Sequence, residues 1–290
     1  ELDETFSVQL FGLDVGAIQD FNNSLVTVGG PTASFVVLDN DSAEISIADV
    51  TIIEDDSDKT LVLMTVTLDT AVDAPVTVDY TTNDDTATSA DNDTYGDQDY
   101  LDSSGTLTFV GQAGEEQTLG VYVTGDNVVE ATEALFVSLS NVLASGREIA
   151  ITTRADDAGT ADDDESVGEL TITNNDSAVL SIESASSVVE GGTGQLVVTL
   201  SNPVDVDVTY DHATADGTAL SASDYTDTSA GDVVFSNTDG ASLTQTLSVA
   251  TTADEVVELD EDFTITISDL QPSDGSRQVS LGNDTGTITI

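Results

Sequence analysis

The sequence predicts an all-β fold: a linear array of tandem immunoglobulin-like antiparallel sandwiches, about seven strands in each. Three observations carry that expectation. Short runs rich in Val, Ile and Thr alternate apolar and polar residues, and clusters of Gly, Asp and Asn break them at strand-length intervals. No helical period of useful length competes with them. One stretch also occurs three times, as Val128-Val129-Glu130-Ala131-Thr132-Glu133-Ala134-Leu135-Phe136-Val137, as the copy led by Glu1, and as the copy starting at Val256. Each copy sets two carboxylates three residues apart ahead of strict alternation. A period of about 130 residues is a whole domain rather than a solenoid turn.

Taken in order, residues 1–43 read as the closing part of a preceding domain, with strands around Phe6, Val8 and Leu10 and over Ala33 to Leu38, ending at Asp39-Asn40-Asp41. Residues 44–177 and 178–290 read as two full repeats. Ala43-Glu44-Ile45-Ser46-Ile47 matches Ala178-Val179-Leu180-Ser181-Ile182, and each is followed by a turn acid, Glu54 or Glu190. The runs at Leu61 to Leu68, Pro75 to Tyr80, Gly105 to Phe109 and Gln117 to Val123 then find counterparts at Gln195 to Leu200, Val206 to Tyr210, Gly231 to Phe235 and Thr244 to Val249. The terminal triplet recurs as Asn174-Asn175-Asp176. The acidic segment around Asp156-Asp157 and Asp162 to Glu165 reads as a solvated loop. Because the chain opens inside a repeat, it is expected to be a window on a longer protein.

Composition narrows the function. A formal charge of −52 arises from 56 acids against four cations, Lys59, Arg147, Arg154 and Arg277. Such a chain cannot neutralise phosphates along a nucleic acid, and it has no apolar run for direct membrane insertion. With no cysteine and His212 as the one histidine, no thiol chemistry and no Ser/His/Asp or Cys/His set can be built. Acid pairs recur throughout, so they do not point to a glycosidase, and no catalytic residue is assigned. The expectation is a protein that is not an enzyme.

The acids that recur at fixed phase are Glu54, Asp99, Asp126, Glu130, Glu133 and Asp176, with counterparts Glu190, Asp224, Asp254, Glu258 and Glu261. All fall in inter-strand loops or at domain ends, and a sandwich gathers alternate loops at one pole. Carboxylates about 4 Å apart repel by roughly 1–4 kcal/mol per pair, depending on the local dielectric. A hard divalent cation relieves this, and calcium, which accepts six to eight oxygen ligands in flexible geometry, suits the set better than magnesium or zinc. Each acid also has a plainer reading as a turn residue. The expected cofactor is Ca2+.

The pattern resembles the Calx-beta family, known from sodium/calcium exchangers, integrin beta-4 and very large bacterial surface proteins. The resemblance rests on the glutamate after the first strand, the segments Thr82-Asn83-Asp84-Asp85-Thr86-Ala87 and Thr214-Ala215-Asp216-Gly217-Thr218-Ala219, the pairs Asp99-Tyr100 and Asp224-Tyr225, the acid-rich repeated stretch and the terminal triplet. It implies calcium ligands at Glu54, Asp99, Asp126, Glu130, the Val128 carbonyl and the triplet Asn174, Asn175 and Asp176. In the second repeat it implies Glu190, Asp224, Asp254 and Glu258. Glu133 and Glu261 orient the loop or join the ligands, while Glu1, Asp39 and Asp41 hold the corresponding places in the leading segment. Gly125 and Ala253 stand where the family often has an acid. The expected role is a calcium-binding structural repeat that rigidifies an extended extracellular or cell-surface protein, an adhesin stalk or surface filament. A calcium-sensing domain pair is the alternative, and a carbohydrate-active module the more remote one. The expected partners are neighbouring repeats of the same chain and other copies of itself in a filament or bundle.

Overall fold

Alternation along the chain becomes alternation across a sheet. In β5 (Lys59–Leu68) Val62, Met64, Val66 and Leu68 are buried while Leu61 and Leu63 face outward, and β15 (Thr193–Leu200) repeats the pattern with Leu196, Val198 and Leu200 inside. The computed structural model describes residues 2–11, 32–90, 98–151, 167–238 and 240–290. Glu1 and the acidic run from Asp156 to Glu165 lie outside the described residues.

Two sandwiches follow a leading hairpin. The first joins β3 (Ala43–Ile47), β4 (Val50–Ile53), β5, β6 (Val76–Asp84), β7 (Tyr100–Leu101), β8 (Ser104–Phe109), β9 (Glu115–Thr124), β10 (Glu133–Leu143), β11 (Ile149–Ile151) and β12 (Val167–Thr173). Its sheets have the orders β4-β12-β10-β6-β8 and β11-β3-β5-β9-β7. The second joins β13 (Ala178–Ile182), β14 (Ala185–Ser187), β15, β16 (Val208–Asp216), β17 (Ser229–Phe235), β18 (Thr244–Ala250), β19 (Asp262–Pro272), β20 (Val279–Leu281) and β21 (Thr285–Thr289), in sheets β18-β15-β13-β20 and β14-β21-β19-β16-β17. The all-β tandem sandwich is as the sequence predicts. Short edge strands raise the number of strands above seven, and four of the edge pairings are parallel: β11 with β3, β12 with β4, β13 with β20 and β14 with β21.

Those parallel pairs arise because the opening segment of each domain changes sheets. β3 joins one sheet and β4 the other, so β4 runs alongside the closing strand β12. β4 therefore delivers Glu54 to the end of the sandwich where β12 finishes. The Glu54 amide donates to the Thr173 carbonyl at 3.0 Å.

The leading hairpin, β1 (Glu4–Gln9) with β2 (Thr32–Val37), aligns Phe6 with Phe35. The closing strands of the two domains align Leu135 with Leu170 and Phe263 with Ile288 at the same phase of the repeat. Leu135, Leu170, Phe263 and Ile288 are buried, whereas Phe6 and Phe35 stack on each other at 5.1 Å and remain half exposed.

The motif segments have clear structural work. Tyr100 and Tyr225 are buried, and their hydroxyls donate to Asp84 Oδ1 at 2.5 Å and Asp216 Oδ1 at 2.6 Å. The Ala87 and Ala219 amides donate to the Ala134 and Asp262 carbonyls, both at 2.9 Å. The loop after β6 or β16 is thereby tied to the start of β10 or β19, next to the acids.

Candidate metal centre

Identical local hydrogen bonds build the acid-bearing loops of both domains. Asp126 Oδ1 accepts the Val128 amide and Asp254 Oδ1 the Val256 amide, each at 2.6 Å, in a short side-chain-closed turn. Asp99 Oδ2 accepts the Thr88 amide at 2.5 Å, and Asp224 Oδ2 the Leu220 amide at 2.7 Å. The Asp99 and Asp224 carbonyls accept from Thr124 and Thr252, both at 2.8 Å. One carboxylate edge of each aspartate is thus used to shape its loop.

The result is convergence. Oxygens of Asp99, Glu130 and Glu133 lie within 4.8 Å of one another, and so do those of Asp224, Glu258 and Glu261. Residues spread across more than 30 positions of sequence meet at one pole, as the sandwich topology requires. The second cluster opens on a cleft of about 130 Å³ that Glu190 also lines. Glu190 Oε1 accepts the Asp254 amide at 2.7 Å, which brings these two predicted ligands together.

Electrostatics register the crowding. Glu133 is pushed up to about 8, first by burial and then by the charges of Asp99, Asp205 and Glu54. Asp176 is raised by burial, with Asp56 and Asp126 adding to it. Loss of surrounding water and neighbouring carboxylates likewise raise Glu258 and Glu261. Asp176 is buried, and its Oδ2 has no hydrogen-bond partner among the described residues. A buried carboxylate oxygen left in that state, beside other acids, fits a site that takes a hard cation.

The triplet divides its work. Asn174 Oδ1 accepts the Asp176 amide at 3.1 Å and its Nδ2 donates to the Asp176 carbonyl at 3.3 Å, while Asn175 Nδ2 donates to Asp56 Oδ1 at 3.2 Å. Both asparagines shape the turn, and Asp176 supplies the open oxygen. In the leading segment Asp41 is exposed, and the Asp39 amide donates to Asp3 Oδ1 at 2.9 Å. Neither joins a cluster of acids among the described residues. His212 lies in β16 with Nδ1 buried, and burial lowers its pKa.

Sequence reasoning missed two contributors. Asp56 reaches the first pole through Asn175 and Asp176, and its place beside Glu54 was the available signal. Asp205 comes from the second domain and its charge reaches Glu133 of the first, a relation that no spacing within a repeat reveals. Arg277 clamps Asp205 through Nε at 2.6 Å and through Nη2, and also engages Asp274. Arg277 lies within electrostatic reach of Glu130.

The same contact explains why the two poles differ. The Val129 amide donates to the Pro203 carbonyl at 2.9 Å, and the Val129 carbonyl accepts from the Asp205 amide at 3.2 Å. Val129 is fully buried and belongs to the second domain's core with Val204, Val208 and Phe235. Its counterpart Val257 is 98% exposed. Glu54 at the first pole is buried, and Glu190 at the second is exposed.

The departures at Gly125 and Ala253 also find a cause. A Cβ on Gly125 would stand 1.9 Å from the Asp55 carbonyl oxygen, so the two strands of loop can approach only with glycine there. In the second domain the glycine has moved across the contact: Gly191 takes the place of Asp55 and faces the Ala253 side chain.

The Calx-beta domain family model matches residues 39–164 and 173–290. The chain belongs to the Calx-beta family. Matches among solved structures include CBD12 from CALX1.2, at 17% identity over 84% of this chain and 98% of that one with a TM-score of 0.36. The calcium binding domain CBD12 of CALX1.1 gives 16% identity, the same coverage and a TM-score of 0.36. The apo-form Calx CBD1 domain gives 18% identity over 46% of this chain and 98% of that one, with a TM-score of 0.35. No match is found among curated proteins.

Proposed function

We propose that this chain is a calcium-binding structural repeat that stiffens an extended extracellular protein, as a stalk or surface filament does. The observation that carries the reading is the position of Val129. The loop that holds Asp126, Val128 and Glu130 at the first pole also inserts Val129 into the second domain's core. Ordering that loop around a cation and fixing the inter-domain junction are then one event.

In the first domain Glu54, Asp99, Asp126, Glu130, Glu133, Asp176 and the Val128 carbonyl would hold calcium. Glu190, Asp224, Asp254, Glu258 and Glu261 would do so in the second. Bound calcium supplies positive charge and oxygen coordination where the carboxylates repel one another. The chain's own residues do the rest: Asp126 and Asp254 close the loops, Tyr100 and Tyr225 lock the adjoining ones, and Arg277 fixes Asp205 against the covered pole. We read the leading hairpin, with its matching register and half-exposed phenylalanines, as the closing pair of a third sandwich of the same kind.

Small-angle scattering tests the mechanical role. One extended shape is expected with calcium and a broader distribution of dimensions in chelator. Equal flexibility in both conditions would remove the role, and calcium dependence in the low micromolar range with a large change of shape would favour a sensor.

A further inference from the structure

One sheet of each sandwich turns an outer face to solvent at the same register, and the two faces differ in chemistry. In the first domain Lys59, Leu61 and Leu63 share the outer side of β5, and Tyr122 stands opposite Leu61 on β9. Leu61, Leu63 and Tyr122 are 47%, 57% and 46% exposed. Both leucines lean across Gly120, where a Cβ would stand 2.8 Å from Leu61 Cδ1, so the apolar surface is low and continuous. Met64 pairs with Leu119 as Leu196 pairs with Leu247, which puts Thr193, Gln195, Ser248 and Ala250 at the matching places of the second domain. There Gln195 Nε2 donates to Ser248 Oγ at 3.3 Å. The fold is thus complete with a polar outer face, and the core does not call for leucine and tyrosine outside it.

Charge is laid out along the same face. Lys59 stands at one end and the exposed Glu116, opposite Thr67, at the other. Arg147 and Arg277 are held by aspartates, whereas Lys59 is exposed and enters no ion pair among the described residues.

We propose that this side of the first sandwich pairs face to face with the same side of a second copy, strands antiparallel, about a two-fold axis between the Leu61 and Leu63 rows. That axis sets each Leu61 against Leu63 of the other copy and aims each Lys59 at the other copy's Glu116 end. A parallel arrangement would set lysine on lysine and glutamate on glutamate. The layout selects a second copy because the face matches itself in both its apolar rows and its opposite charges. From strand spacing, the rows from Lys59 to Thr67 across three strands span about 350–400 Å² per copy, against about 800 Å² per partner in stable complexes. One face therefore gives a weak, reversible lateral pair. The stiffening role concerns a single chain and stands separately, since no residue of this face is among the proposed calcium ligands.

Sedimentation equilibrium of the whole chain with calcium tests the contact at about 0.15 M salt, where repulsion between the acidic copies is screened beyond about 8 Å. A monomer–dimer equilibrium is expected within reach of about 1 mM protein. Leu61→Thr with Leu63→Gln copies the second domain's residues, so the variant is expected to fold, which its thermal melt checks. It should weaken association at least about tenfold. Lys59→Glu should weaken it as well, and Lys59→Glu combined with Glu116→Lys should restore it to within about threefold of the parent, a recovery that general stickiness would not produce. A parent chain that stays monomeric up to about 1 mM, or a leucine variant that associates as well as the parent, would overturn the proposal. A charge swap without recovery would overturn the two-fold arrangement.

Discussion

Val129 of the first sandwich lies in parallel register with Val204 of the second, so one domain completes the core of the next. A buried valine gives about 1.5–3 kcal/mol on leaving water, and a charge placed there adds a desolvation cost. Val129→Asp should therefore destabilise the second domain by about 2–4 kcal/mol and loosen the junction. Val257→Asp, on an exposed tip, should stay within about 0.5 kcal/mol in the two-domain chain. Calorimetric melting of both variants checks the contrast.

Glu130 leads the repeated stretch and belongs to the first cluster. Glu130→Gln should weaken calcium binding at the first pole by at least about tenfold and leave the second nearly unchanged, since separated sites act independently. Titration calorimetry should show one class of site lost and one retained. In the unaltered chain each ion bound only by the native state adds about 2.7 kcal/mol at a hundredfold excess over Kd, so chelation should lower the melting temperature markedly.

In the calcium-free protein Glu133 titrates near 8, above the ordinary glutamate value, because of burial and the charges of Asp99, Asp205 and Glu54. A carboxyl raised in the folded state binds a proton that the unfolded chain releases. Its contribution is fully present below the unfolded value of 4.5 and is lost as pH rises through about 8. Stability without calcium should fall across that window. Glu133→Gln should flatten the fall, with the variant about 2 kcal/mol more stable than the parent at the alkaline end. Parallel pH profiles for the two proteins would refute the assignment.

Gly125 leaves no room for a side chain against Asp55, whereas Ala253 faces a glycine. Gly125→Asp, which restores the acid common in the family, should cost about 2 kcal/mol or more through backbone displacement and should not raise calcium affinity. Gly125→Ala combined with Asp55→Gly, which copies the second domain's Ala253 and Gly191, should cost less than Gly125→Asp alone. Thermal melts of the single and double variants decide the point.

Much of this protein is legible in its sequence because the determinants are local and repeated. Period-two burial in β5 and β15 follows directly from their alternation, and the acids of the two clusters stand at matching phases. Gly125 was visible as a departure, but its reason was not, since Asp55 meets it only across the pole. The parallel pairing of β4 with β12 was also hidden, because a four-residue edge strand carries little pattern of its own. Sequence alone determined which residues bear charge and which face inward, since side-chain chemistry and a two-residue period need no knowledge of distant contacts. Tertiary structure alone decided that Val129 is core while Val257 is surface, and that Glu54 is buried while Glu190 is exposed. The two loops share the aspartate, the paired valines and the leading glutamate of residues 126–130 and 254–258. Their burial, and hence their electrostatics, depends on whether another domain stands over them.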